Sequence, residues 1–263
     1  MSKQWVHLSD PELESLCLRT TAENLQWILE SCKIEQDRLM ISGWAISLAG
    51  PPEASQFLIN GNPFETVCYP LPSPDIASVF WNIAAAQNAR FRCETTIDAQ
   101  TYENGFACLE FLDGSERDKI RQRAWFLPDP KDDLPVPSDM QIRRVIGNSD
   151  RTNFLIGGAS IYKRLQHYLE GRFSKTFRDF GNVLDFGCGC GRVARHFRWA
   201  EETQLWGVDV DGDNIAWCRE HLRDGQFLTI SALPPLPFPD ESFDLVIATT
   251  VLSQMTEKYQ AIW

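Results

Sequence analysis

Residues 183–192 read Val-Leu-Asp-Phe-Gly-Cys-Gly-Cys-Gly-Arg, three glycines at alternate positions behind an aspartate. Gly187, Gly189 and Gly191 lack the Cβ atoms that would hold a ligand off the backbone, and they reach dihedrals other residues avoid. The run follows a predicted strand, NVLDF, and opens a predicted helix, RVARHFRWA, whose first N–H groups would point toward the same spot. Asp185 lies just ahead of the loop, where a carboxylate holds a cationic or amine group. A dinucleotide fingerprint would need glycine at 187, 189 and 192. Position 192 is arginine, so this is not the nicotinamide pattern.

Asp209 ends the next apolar strand, LWGVDV, eighteen residues after Gly191. An acid at the end of the second strand of a Rossmann-like sheet accepts both hydroxyls of a ribose. The competing structural role, capping the helix that begins near Asn214, falls more naturally to Asp211 or Asp213. A third stretch, PPLPFPDESFDLVIATT, turns into a buried strand and leaves Thr249 and Thr250 just beyond its apolar run. That is the carboxyl end, where open α/β sheets bind ligands.

The elements that position these residues alternate strand and helix: NVLDF, RVARHFRWA, LWGVDV, NIAWCREHL, QFLTI, FDLVIATT. Such alternation implies a parallel sheet with right-handed crossovers. An amphipathic helix over Ile161–Leu169 precedes it. Residues 38–126 have a different period, with short β-branched or aromatic runs between turns, and are expected to form a small antiparallel β-sandwich. Asn60-Gly61 and Asp113-Gly114 are its hairpin signals. Residues 10–32 read as helix, with Asp10-Pro11-Glu12 as its start and an apolar stripe of Leu13, Leu16, Leu25, Ile28 and Leu29. Residues 127–139 hold four prolines and four aspartates in thirteen positions and mark a boundary. The expected domains are a helical segment (1–34), an all-β domain (35–127), a linker (128–140) and a Rossmann-like α/β domain (141–263).

Composition narrows the function. With 43% hydrophobic and 23% charged residues in 263, the chain is neither disordered nor fibrous. It has no apolar stretch near the ~20 residues a membrane span needs. The amino-terminal residues lack a signal-peptide core, and eight scattered cysteines read as reduced, buried thiols, which points to the cytoplasm. The net charge of −11 argues against a generic nucleic-acid binder. Eight basic residues between Arg143 and Arg178 outnumber the acids there and suggest a mildly basic helical surface, open to a phosphate-bearing partner. The C-x-C of Cys188 and Cys190 has no partner pair at zinc spacing, so no metal is expected. His7, His167, His196 and His221 read as surface or packing residues. Trp44 reads as a core residue, with a carbohydrate platform as the alternative. Arg192 and Arg195 read as solvated surface, with a ligand carboxylate as the alternative partner of Arg192.

With the three motifs together, the chain resembles the class I S-adenosylmethionine-dependent methyltransferases over roughly residues 150–263. VLDFGCGCGR matches their glycine loop, GVDVD their ribose acid and PLPFPDESFDLVIA their fourth strand. It is similar to a bacterial branch in which DFGCGCGR is followed by a WCRE helix and a PPLPF turn. The resemblance implies S-adenosyl-L-methionine as cofactor and methyl transfer to an acceptor, a small molecule or a cell-envelope precursor. It implies that Gly187, Cys188, Gly189 and Gly191 cradle the methionine moiety, with Asp185 orienting its amino end. Asp209 would hold the ribose, Val210 would pack near the adenine, and Ser231, Ala232 and Leu233 would border it. Thr249 and Thr250 would lie near the transferred methyl; no catalytic base is identified.

Three departures stand out. Ala232 falls where many relatives have an acid, and Gln254 where relatives of this branch often have histidine. Relatives also continue beyond the fourth strand with a helix and three more strands, whereas the sequence stops at Trp263. The expectation is therefore an incomplete class I methyltransferase fold, lacking much of the acceptor pocket. Its fourth strand would be an exposed edge at Leu245, Val246 and Ile247, open to association. The alternative reading is a non-catalytic binding or scaffold module on a degenerate nucleotide-binding fold.

Overall fold

The computed structural model describes residues 18–19, 27–47, 51–102, 105–112, 124–129, 134–200 and 202–263. The chain divides into two compact units, residues 1–132 and 133–263.

The described part of the first unit is built from β1 (Leu18–Arg19), β2 (Trp27–Glu35), β3 (Arg38–Ala45), β4 (Gln56–Ile59), β5 (Asn62–Pro63) and β6 (Thr66–Leu71). A short helix, α1 (Pro74–Val79), precedes β7 (Arg90–Thr96), β8 (Phe106–Leu112) and β9 (Ala124–Pro128). They pair antiparallel in two sheets, ordered β1-β9-β8-β4-β5 and β2-β3-β7-β6. Both sheets contribute to one core of aromatic rings, with Trp27 6.1 Å from Phe57 and 6.3 Å from Trp125. The expected sandwich is present. Asn60 and Gly61 make the tight turn between β4 and β5, with φ of 49° and 81°. Asp113-Gly114 lies outside the described residues.

Two expectations fail in this unit. Where described, the helix expected over 10–32 is strand, at β1 and in β2. Trp27 and Leu29 alternate inward on β2, and a bulge between Leu29 and Ser31 then shifts the register so that Cys32 also faces the core. Three inward residues spaced this way imitate a helical stripe. Trp44 packs, half-buried, against a second apolar cluster of Ile46, Ile76, Ala86 and Ala89. Leu39, Ile41 and Ala45 are the buried set of β3, so Trp44 belongs to the opposite face, where it packs on Phe80 with ring centres 5.5 Å apart. Cys68 is the second departure: it is exposed, whereas the six other described cysteines are buried and free.

The second unit opens with α2 (Asp139–Ile146) and α3 (Arg151–Phe173). Ser138 and Gln141 form a reciprocal capping box on α2, and Asp150 caps α3 by accepting from Asn153 N–H. The chain then forms β10 (Asn182–Phe186), β11 (Gln204–Asp209), α4 (Gly212–His221), β12 (Gly225–Thr229) and β13 (Leu245–Ile247). The four strands are parallel, in the order β12-β11-β10-β13. The chain runs outward from β10 to β12 and then returns to pair β13 on the other side of β10. A topological switch point therefore lies between β10 and β13.

The segment after the glycine loop is not the expected α-helix but a 3-10 segment, Ala194–Trp199. Val193 through Phe197 are all buried, so no solvent face remains for an amphipathic helix, and His196 N–H donates to Val193 three residues back. At β13, Val246 is exposed and Leu245 half-buried, while Ile247 is buried. No helix among the described residues is long and apolar enough to cross a membrane.

Candidate functional site

The carboxyl ends of β10, β11, β12 and β13 open on one cavity of about 620 Å³ within the second unit. Asp185, Gly187, Cys188, Gly189, Asp209, Val210, Ser231, Ala232, Thr249 and Thr250 line it. Gly191 and Leu233 do not. A Cβ at Gly191 would run into Leu222 at the end of α4, so that glycine serves packing behind the loop. Leu233 is exposed, its N–H donating to Ser231 Oγ at 3.1 Å.

The loop is fastened to β11 by its own amides. Gly187 and Cys188 N–H both donate to the Val208 carbonyl, at 2.8 and 3.0 Å, and Gly189 N–H donates to Asp209 Oδ2 at 2.8 Å. Gly191 N–H donates to the Cys188 carbonyl. Four of the loop's amides are thereby already engaged. An anion would need those donors, whereas a cation needs acceptors. The loop is therefore suited to a positively charged group. The missing Cβ atoms also serve packing: Val251 occupies the space a Cβ would take at Gly187, and Val145 Cγ2 lies 2.7 Å from that at Gly189. Both glycines sit at positive φ, 75° and 54°.

Two acids set the charge of this wall. Asp209 Oδ1 accepts from Asp211 N–H at 2.9 Å, so each Asp209 oxygen has one donor and retains a further lone pair. Asp185 is 2% exposed, and its Oδ2 has no hydrogen-bond partner. Burial, reinforced by the charge of Asp209, pushes its carboxyl up to about 7. An orphaned carboxylate of this kind is expensive unless a ligand cation meets it. Beneath the loop, the Cys188 thiol contacts that of Cys218, and this hydrogen bond, together with burial, raises its pKa. Asp211 is the α4 cap, accepting from Asp213 and Asn214 N–H. Asp209 is not.

The rest of the cavity lining carries no motif in the sequence. Arg144 and Val145 come from α2, Ile161 from α3, and Val251, Gln254, Met255, Tyr259 and Trp263 follow β13. The Ser138-x-x-Gln141 capping box was a readable sign of α2. Thr250, a β-branched residue at φ 62°, is strained at the cavity edge, with Oγ1 donating to the Thr249 carbonyl at 2.6 Å. Of the histidines, His196 is buried beside Tyr162, His221 stacks on Trp217, His167 is exposed, and His7 lies outside the described residues.

A parallel sheet with a switch point, a glycine loop and an acid at the end of the neighbouring strand define a Rossmann-like ligand-binding unit. Residues 183–262 match the family model of the methyltransferase domain. Over 85 residues the chain is 36% identical to a ubiquinone/menaquinone biosynthesis C-methyltransferase of Laribacter hongkongensis, covering 30% of this chain and 35% of that protein. The corresponding protein of Bordetella avium is 34% identical over 85 residues, covering 30% and 33%. The chain thus spans about a third of the length of these curated relatives. Among solved structures, PKMT2 from Rickettsia typhi in complex with AdoHcy is 24% identical, covering 32% of this chain and 17% of that one, at a TM-score of 0.28. A TehB-like SAM-dependent methyltransferase from Corynebacterium glutamicum is 17% identical, covering 40% and 61%, at 0.27. TM-scores of this size do not define a shared fold.

Proposed function

We propose that the second unit binds S-adenosylmethionine and transfers its methyl group to an acceptor. The carrying observation is the orphaned Asp185 carboxylate, which shares one cavity with Asp209 and a glycine loop whose amides are already engaged. That set of acceptors fits a ligand with positive charge at one end and vicinal hydroxyls further on. It does not fit a pyrophosphate.

When bound, the cofactor supplies a methyl carbon already activated by a sulfonium. The protein's share is alignment and exclusion of water, which in well-oriented systems is worth up to ~7–11 kcal/mol. Asp185 accepts from the ammonium end. The lone pairs of Asp209 not used by Gly189 and Asp211 accept from the ribose hydroxyls. Val210, 59% exposed at the cavity, offers its apolar face to the adenine. Ser231 and Ala232 border that ring, and Thr249 and Thr250 flank the reacting end.

Isothermal titration of the full chain with S-adenosylhomocysteine tests this reading. Saturable binding is expected, weakened at least ~10-fold in Asp209→Ala by loss of charge-assisted hydrogen bonds. Gly189→Val is expected to abolish it. Absence of binding at millimolar ligand would overturn the proposal and favour a scaffold built on a nucleotide-type fold.

A further inference from the structure

Arg192 is the cation that the cofactor reading leaves unused. It lines the cavity, yet among the described residues no hydrogen bond or carboxylate partner satisfies its side chain, and its Nε is buried without an acceptor. Arg38, Arg90, Arg144 and Arg151 each meet a carboxylate. Arg192 instead lies along α3, its guanidinium in the space a side chain at Gly157 would fill. The Arg192 carbonyl likewise occupies the space a Cβ would take at Gly158, so the loop backbone is pressed onto the same helix.

Gly157, Ile161 and Arg164 follow one another at i, i+4 and i+7 on α3 and so share a face. Ile161 also lines the cavity. Burial, and then the neighbouring charge of Arg164, push the Arg192 pKa down. Holding a half-buried cation beside a second cation with no counter-charge costs stability. A planar guanidinium in this position matches the two oxygens of a carboxylate or phosphate. Asp185 and Asp209 line the same cavity at the carboxyl ends of β10 and β11.

We propose that Arg192, backed by Arg164 and seated on Gly157, is an anion-binding group of this cavity, taking a carboxylate or phosphate of the bound ligands. The inference deepens the methyltransferase reading and rests on it for one of its two probes. The anion has two sources: the carboxylate of the cofactor's amino-acid end, or an anionic group on the methyl acceptor.

The test uses the full chain, titrated calorimetrically with inorganic phosphate, S-adenosylhomocysteine and decarboxylated S-adenosylhomocysteine. Arg192→Met is expected to lose at least ~10-fold in affinity for an anionic probe. Gly157→Ala keeps every charge but puts a methyl group where the guanidinium lies. It is expected to weaken the same probe, and it decides the matter should Arg192→Met fail to fold. If Arg192→Met weakens S-adenosylhomocysteine but not its decarboxylated analogue, the anion is the cofactor's. If it spares S-adenosylhomocysteine but removes phosphate binding to the cofactor-saturated protein, the anion is the acceptor's. Wild-type affinities for phosphate and S-adenosylhomocysteine in both variants would overturn the inference. So would a wild-type protein that ignores phosphate and binds the decarboxylated analogue as well as the parent. Arg192-dependent phosphate binding without any S-adenosylhomocysteine binding would leave the inference standing and overturn the cofactor reading.

Discussion

Asp209 Oδ2 accepts the amide N–H of Gly189 at 2.8 Å, which fastens the acid at the end of β11 to the glycine loop. The same carboxylate holds Asp211 N–H, so it organises both the loop and the entry to α4 before any ligand arrives. Asp209→Ala removes both acceptors at once. It is expected to lower stability by about 2 kcal/mol as well as to weaken S-adenosylhomocysteine. Asp209→Asn keeps one acceptor oxygen and should recover part of each loss. Urea denaturation and calorimetry on the two variants check this, and a stability unchanged in Asp209→Ala would refute the double role.

The sequence made one wall of the site readable and hid the other. β10 to β13 are short apolar runs in the sequence, and Gly187, Gly189 and Asp209 carry local signals that need no tertiary context. Val145, Ile161 and Val251 carry none: each reaches the cavity only because its element packs over the loop. The length of α3 was masked by Gly157 and Gly158, poor helix formers retained where Arg192 presses on the helix. β2 looks helical in sequence because its bulge breaks the two-residue period on which strand recognition depends.

Asp185 should make stability fall as pH rises. Its folded-state carboxyl, pushed up to about 7, holds a proton that the unfolded chain releases near 4. Between those values the native state binds more protons than the unfolded state, so this group costs roughly 1.4 kcal/mol for each pH unit climbed. Above about 7 its contribution levels off. Asp185→Asn, neutral throughout, should lose that slope and exceed wild-type stability at pH 8. Denaturant midpoints measured from pH 5 to pH 8 decide it; parallel profiles for the two proteins would show that Asp185 is not the source.

Gly189 and Gly191 should separate by readout. Gly191→Ala places a methyl against Leu222 at φ 77°, outside the cavity lining. It is expected to cost ~1–3 kcal/mol while leaving the ligand affinity of the folded protein within a few-fold. Gly189→Ala meets Val145 Cγ2 at 2.7 Å inside the cavity and should reduce both. Val145→Ala, combined with Gly189→Ala, relieves the steric part and leaves the left-handed strain. A double-mutant cycle showing no coupling between positions 145 and 189 would contradict this packing.

Asp211 and Asp213 are neighbours with different work. Asp211 accepts from Asp213 and Asn214 N–H at 3.0 and 3.2 Å as the cap of α4, and it meets Arg144 at 2.8 Å. Asp213 is largely exposed and touches the same arginine at 3.3 Å. Loss of a cap costs ~1 kcal/mol, whereas an exposed ion pair contributes less than ~1 and is screened by salt. Asp211→Ala should therefore destabilise the protein by about 1–2 kcal/mol even at high ionic strength. Asp213→Ala should have little effect at any salt concentration. Thermal melts of both variants at low and high salt distinguish the roles: equal losses that vanish with salt would make Asp211 an ion-pair residue rather than a cap.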